Sequence, residues 1–184
     1  DAYNYYIRCI KLRPNGFEAL NNLGAIHVRN KNYTLAQKCF EKANSINKDY
    51  VPAINNLASL FHKIQNKESA LEFSSKALKL QPDNTITKNQ YAKALILNSQ
   101  LDEAIGILEQ CSKDNPSDND TALNLSTAYK EQGDFKKANI IVEKLFNMTL
   151  KLLKTWLRLQ GVNKINCSRH RSGITKIFFK KTNY

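Results

Sequence analysis

Small and bulky apolar residues recur along this chain with a period of 34 positions. Ala2, Ala36, Ala70, Ala104 and Ala138 keep that spacing without a slip. A second small position runs Gly24, Ala58, Ala92, Ser126; it is preceded by Leu23, Leu57, Tyr91, Leu125 and followed three residues on by His27, Phe61, Leu95, Tyr129. A third runs Cys9, Ala43, Ala77, Cys111. Inside each period, apolar residues fall with helical periodicity in two stretches of about 14 residues, such as 51–64 and 67–80, long enough for three to four turns each. Short breaks separate the two stretches at Asn30–Asn32, Gln65–Asn66, Asn98–Gln100 and Gln132–Asp134. Pro14, Pro82 and Pro116 close three of the units, because the residue before a proline is pushed out of the α region. Asp83-Asn84 and Ser117-Asp118-Asn119 then offer N-caps to the next helix. The small residues let the two helices of a pair cross closely, and the bulky ones fill the space between pairs. One pair cannot bury its apolar face alone, so the pattern predicts an all-α fold: a solenoid of stacked antiparallel helix pairs with a concave and a convex side.

These residues resemble the tetratricopeptide repeat (TPR), whose 34-residue unit reads W-x2-L-G-x2-Y, then A-x3-F, then P. The first full unit, 17–50, supplies Leu20, Leu23-Gly24, His27, Ala36 and Phe40; the second, 51–84, supplies Ile54, Leu57-Ala58, Phe61, Ala70, Ala77 and Pro82. The third, 85–118, keeps Tyr91, Ala104 and Pro116, and the fourth, 119–152, keeps Leu125, Tyr129 and Ala138. Departures are Lys88 where a bulky apolar residue is usual, Ser74 where Phe is usual, and Lys48 and Leu150 in place of Pro. Residues 1–16 match the second helix of a repeat whose first helix is missing, as expected of a piece of a longer array. Residues 150–160 are expected to form a separate amphipathic capping helix carrying Trp156 and Leu159. The segment 161–184 shows no repeat signal and is expected to be a poorly ordered basic tail. The resemblance implies a right-handed superhelix and a non-enzymatic scaffold that binds an extended peptide or partner segment in its concave groove. Similar repeat arms are fused to glycosyltransferase and sulfotransferase domains, so the alternative is the recognition arm of a larger enzyme.

In such proteins the first helix of each unit lines the groove, so ligand-facing residues recur at fixed places in it. One place reads Asn22, Asn56, Gln90, Asn124, and its neighbours read Asn21, Asn55, Asn89 and then Ser59, Lys93, Thr127. An amide can both donate to a peptide C=O and accept from its N–H, so a ladder of amides reads a backbone without demanding side chains. A similar asparagine ladder occurs in the repeat arm of O-GlcNAc transferase-like proteins. Against it stands composition, since 22 of the 184 residues are Asn, and an Asn here can equally bond the neighbouring unit. Arg29, Lys63, Lys93 and Lys130 form a secondary basic line that could hold a carboxylate. They do not reproduce the pattern of carboxylate-clamp TPR proteins.

Charge changes the picture only when it is divided. The formal net charge is +12, but residues 1–143 hold 18 Lys+Arg against all 16 acidic residues, while 144–184 hold ten cations and no acid. Arg169, Arg171, Lys176, Lys180 and Lys181 with Phe178-Phe179 could touch phosphates or an anionic membrane, yet neither nucleic acid nor a membrane is the expected partner. Catalytic and metal chemistry is not indicated. His62 has no acid or thiol one turn on, His27 sits at a packing position, and no paired ligands, Gly-rich phosphate loop or nucleophile motif occurs. Cys9 and Cys111 hold the small-residue position and read as core thiols, with Cys39 nearby. No cofactor and no small-molecule substrate are expected. Free thiols, and an N-terminus at Asp1 without a leader pattern, give the expectation of a cytoplasmic protein.

Overall fold

The structure, a computed structural model, describes residues 2–159, 165–169 and 175–179. Among them, nine helices follow one another. Helix α1 (Ala2–Leu12) packs on α2 (Phe17–Arg29), which pairs with α3 (Tyr33–Ile46). The later pairs are α4 (Val51–Lys63) with α5 (Lys67–Leu80), α6 (Thr85–Leu97) with α7 (Leu101–Asp114), and α8 (Asn119–Gln132) with α9 (Phe135–Leu159). The first helices α2, α4, α6 and α8 also touch one another in series, forming the inner layer, while α3, α5 and α7 each lean on the first helix of the next pair. The body is therefore an all-α helical-repeat solenoid.

Local chemistry explains the helix ends. Asn84 caps α6 by accepting from the Ile86 amide at 2.8 Å, and Asp118 caps α8 by accepting from that of Asp120 at 3.3 Å. At the other ends, α5 and α7 stop at Leu80 and Asp114, just ahead of Pro82 and Pro116. Each turn inside a pair uses one left-handed residue at the same place: Lys31, Gln65, Ser99 and Gly133, with φ of 61°, 61°, 62° and 90°. The amide of the following residue reaches back to close the helix, as Asn66 does to the Phe61 carbonyl at 2.9 Å and Asp134 to that of Tyr129 at 2.9 Å. This six-to-one bond is the Schellman termination, which normally selects Gly; only the fourth turn has it.

Packing follows the small and bulky register. Ala36, Ala70 and Ala104 are fully buried, and Leu57, Phe61, Leu95, Leu125 and Tyr129 are buried beside them. Gly24 is required by contact: a Cβ there would lie 2.5 Å from the Phe40 ring on α3. Ser74, which stands where Phe40 does one unit earlier, is fully buried and its hydroxyl donates to the Leu71 carbonyl at 3.1 Å. The missing aromatic is supplied by its neighbour Phe73, stacked on Phe61 with ring centroids 5.5 Å apart.

Two stretches differ from expectation. Residues 150–159 do not form a separate helix; they continue α9, which runs unbroken for 25 residues. No Gly or Pro lies between 135 and 159 to stop it, so one helix is the natural outcome. In the tail, Ile165–Arg169 (β1) and Thr175–Phe179 (β2) pair antiparallel, Ile165 opposite Phe179 and Arg169 opposite Thr175. The Ile-Asn-Cys-Ser alternation carries that signal at period two rather than 3.6, and Thr175–Phe179 is rich in β-branched and aromatic residues. Residues 160–164, 170–174 and 180–184 of the tail lie outside the described residues.

Candidate functional site: the inner helix face

The amide positions of α2, α4, α6 and α8 do face the inner layer, but they do not behave alike. Asn22 is exposed, Asn56 and Gln90 are half-buried, and Asn124 is buried. The flanking Asn21 and Asn89 are buried and Asn55 is half-buried. They bond each other across neighbouring units. The Asn56 side-chain amide donates to Asn21 Oδ1 at 2.8 Å, and that of Asn124 donates to Asn89 Oδ1 at 2.9 Å. Asn89 in turn donates to Thr121 Oγ1 at 2.7 Å and to the Asp118 carboxylate at 3.3 Å. Burial forces this, because an amide excluded from water must find partners inside the protein.

The middle junction breaks the pattern. Both bonds connect residues 35 apart, so the third would run from the Gln90 amide to Asn55. It is not formed, and Asn55 Oδ1 is buried with no hydrogen-bond partner. Gln is one methylene longer than Asn, which moves its amide out of the position that Asn56 and Asn124 occupy.

Two concavities bracket the face. One, of about 520 Å³, lies between α1 and α2 and is lined by Tyr5, Tyr6, Cys9, Arg13, Glu18 and Asn22. The other, of about 230 Å³, lies between α6 and α8, where Gln90, Lys93, Asn124, Asp118 and Asp120 meet. Ser59 is half-buried, and Thr127 is exposed with its hydroxyl bonded to the Leu123 carbonyl at 2.9 Å. Of the basic line, Lys93 is half-buried while Arg29, Lys63 and Lys130 are exposed. Leu123 occupies in α8 the place held by Asn21, Asn55 and Asn89, and it is 53% exposed.

The reading of the sequence left out two contributors. Asp118 and Asp120 reach the second concavity from the α7–α8 turn, which no periodicity within a helix reveals. Outside it, burial and then the positive charge of Lys93 hold the pKa of His62 below the ordinary 6.5. His27 is buried at its packing position, met edge-on by the Tyr3 ring. Burial pushes the Cys39 and Cys111 thiols up, away from reactivity; Cys9 is half-buried on the rim of the first concavity. Among the described residues no group of three His, Cys, Asp or Glu could hold a metal ion, and no helix is long and apolar enough to cross a membrane.

Helix pairs, turns and inner face all repeat in one 34-residue register, and the comparisons agree with that register. Residues 17–50 and 51–84 each match the family model of the tetratricopeptide repeat. Residues 17–84 are therefore tetratricopeptide repeats. Anaphase-promoting complex subunit 3 of Schizosaccharomyces pombe is 23% identical over 136 residues, which is 74% of this chain but only 20% of that protein. The chain thus spans about a fifth of the length of that relative. Among solved structures, YrrB, described as a TPR protein with an unusual peptide-binding site, superposes with a TM-score of 0.63 at 21% identity, over 79% of this chain and 75% of its own. A tetratricopeptide repeat protein from Parabacteroides merdae gives 0.72 at 16% identity, over 79% of this chain and 57% of its own. MamA gives 0.67 at 20% identity, over 83% and 89%. At these identities the likeness concerns the fold.

Proposed function

We propose that this chain, a protein-interaction scaffold by its repeats, receives an extended peptide along the inner face of α2, α4, α6 and α8. The observation that carries this reading is the row Asn22, Asn56, Gln90. These amides recur every 34 residues, remain at least partly accessible, and run between the two concavities. Asn56 spends its donor on Asn21 and keeps its carbonyl oxygen for a ligand N–H. Gln90, unengaged by Asn55, keeps both donor and acceptor. An extended backbone offers matching groups, so main-chain bonds would give affinity while the concavities select side chains at either end. Asn124 is scaffold in this reading, because its amide already holds Asn89.

The test is a titration with a peptide selected from a displayed random library, against wild type, Asn56→Ala and Gln90→Ala, at low and high salt. Each substitution is expected to weaken binding by about 1–2 kcal/mol, the cost of a ligand group left unpaired. Little salt dependence should accompany it, since neutral amides carry the contacts. Unchanged affinity in both variants with steep salt dependence would transfer the site to Lys93 and the other cations. Unchanged affinity without salt dependence would place the ligand on another face.

A further inference from the structure

Helix α9 is longer than its place in the fold requires. The inner helix it packs on, α8, has 14 residues, and α9 has 25, so its last 11 residues overhang by about 16 Å at 1.5 Å per residue. Leu150, Leu152, Leu153 and Trp156 fall there on one side, over about 160° of arc at 100° per residue. Lys151 and Lys154 fall on the other. Leu152 is 65% and Trp156 56% exposed in the full chain. The apolar side continues back along the packed half through Phe146 and Val142, also exposed. The polar side continues through Lys144 and Lys136, against Glu143 alone, while Lys137 is held by Asp134 at 3.4 Å.

We infer that the end of α9 is an interfacial helix that lies on an anionic lipid bilayer. A single partner helix takes up an apolar stripe of roughly 100°, so this arc is wider than one neighbour can cover, whereas the acyl boundary of a bilayer covers it whole. Lysines on the opposite arc extend their stems to the headgroup level and meet negative lipid charge. A second copy of α9 would cover only part of the arc and would leave the lysine side without opposite charge. An acidic protein would match the charge but not the width. The seven charged residues on the helix keep it from spanning, so it lies on the surface. The expectation of no membrane partner rests on the basic segment after residue 160; the uninterrupted α9 adds an apolar helical face with lysines opposite it.

Trp156 is the one tryptophan in the chain and reports on its own burial. The full chain is mixed with vesicles of phosphatidylcholine alone, or with about one-third phosphatidylserine, and followed by co-sedimentation and tryptophan emission. Expected are sedimentation and a blue shift with the anionic vesicles only. Lys151→Gln and Lys154→Gln should each weaken the partition about fivefold. Leu152→Glu should abolish the blue shift while circular dichroism stays that of wild type, because the residue is exposed. Three results would overturn the inference. One is no sedimentation with phosphatidylserine at low salt. Another is sedimentation without a blue shift and unaffected by Leu152→Glu, which is charge adhesion of the tail. The third is an equal blue shift with poly-L-glutamate, which makes an acidic polymer the occupant.

Discussion

Lys31, Gln65 and Ser99 adopt a left-handed conformation that costs an L-residue roughly 1–2 kcal/mol. The turns tolerate it because each closes a helix with two backbone bonds. Nothing in Lys, Gln or Ser announces such a conformation, and only Gly133 does, so three of these four turns were legible as breaks but not in their geometry. His62 was equally hidden, since its environment comes from Lys93 on the next unit. Its lowered pKa has a consequence for stability. The unfolded chain takes up a proton near pH 6.5, while the folded chain resists until lower pH. The contribution of the neutral imidazole is therefore complete above pH 6.5 and is lost as pH falls toward the folded-state value. Denaturant unfolding between neutral and mildly acidic pH should show wild type losing stability on acidification, and His62→Gln losing less. Identical slopes would mean that His62 is solvated.

At the scale of elements, each helix pair matches the size of its small residue to the bulk across from it. Gly24 faces Phe40, and the corresponding places in the third unit hold Ala92 and Leu108, both fully buried. Gly24→Ala alone should overpack the α2–α3 crossing at about 1–3 kcal/mol, more than offsetting the gain of up to about 1 kcal/mol from helix propensity. In a Phe40→Leu background the same change should become stabilising, because the ring it would strike is gone. Chemical denaturation of the four proteins of this cycle reads the sign directly; destabilisation in both backgrounds would refute the pairing. The alanine register and the proline stops made these pairs readable in the sequence. The length of α9 was not, because a repeat template imposes a boundary at residue 150 where the residues themselves contain no stop.

For the molecule as a whole, the 34-residue period sets the order and pairing of the repeat helices but adds one capping helix too many, and the inner amides could be picked out from it. Their partners could not. Asn21 meets Asn56 and Asn89 meets Asn124 only through the rotation between stacked units, a quantity that periodicity along one helix does not contain. The strands in the tail were missed for a related reason, as the search for helical rhythm passes over short alternation.

The longer side chain of Gln90 leaves one amide junction open. Between the second and third units, Asn55 Oδ1 goes without a donor, a deficit of about 1–3 kcal/mol for a buried acceptor. A solenoid is held by nearest-neighbour interfaces, so a joint with an unsatisfied acceptor is a place where it can part, even though Asn98 still donates to the Lys67 carbonyl across it at 3.1 Å. The array should behave as two rigid vanes, one ending with α5 and the other beginning with α6, flexing about a crease. Amide exchange should then find α4 and α5 opening independently of α6 and α7, with Gln90→Asn, which restores the bond, making them open together. A groove creased in the middle can close around a ligand from both ends, and fastening the crease would trade that adaptability for stiffness.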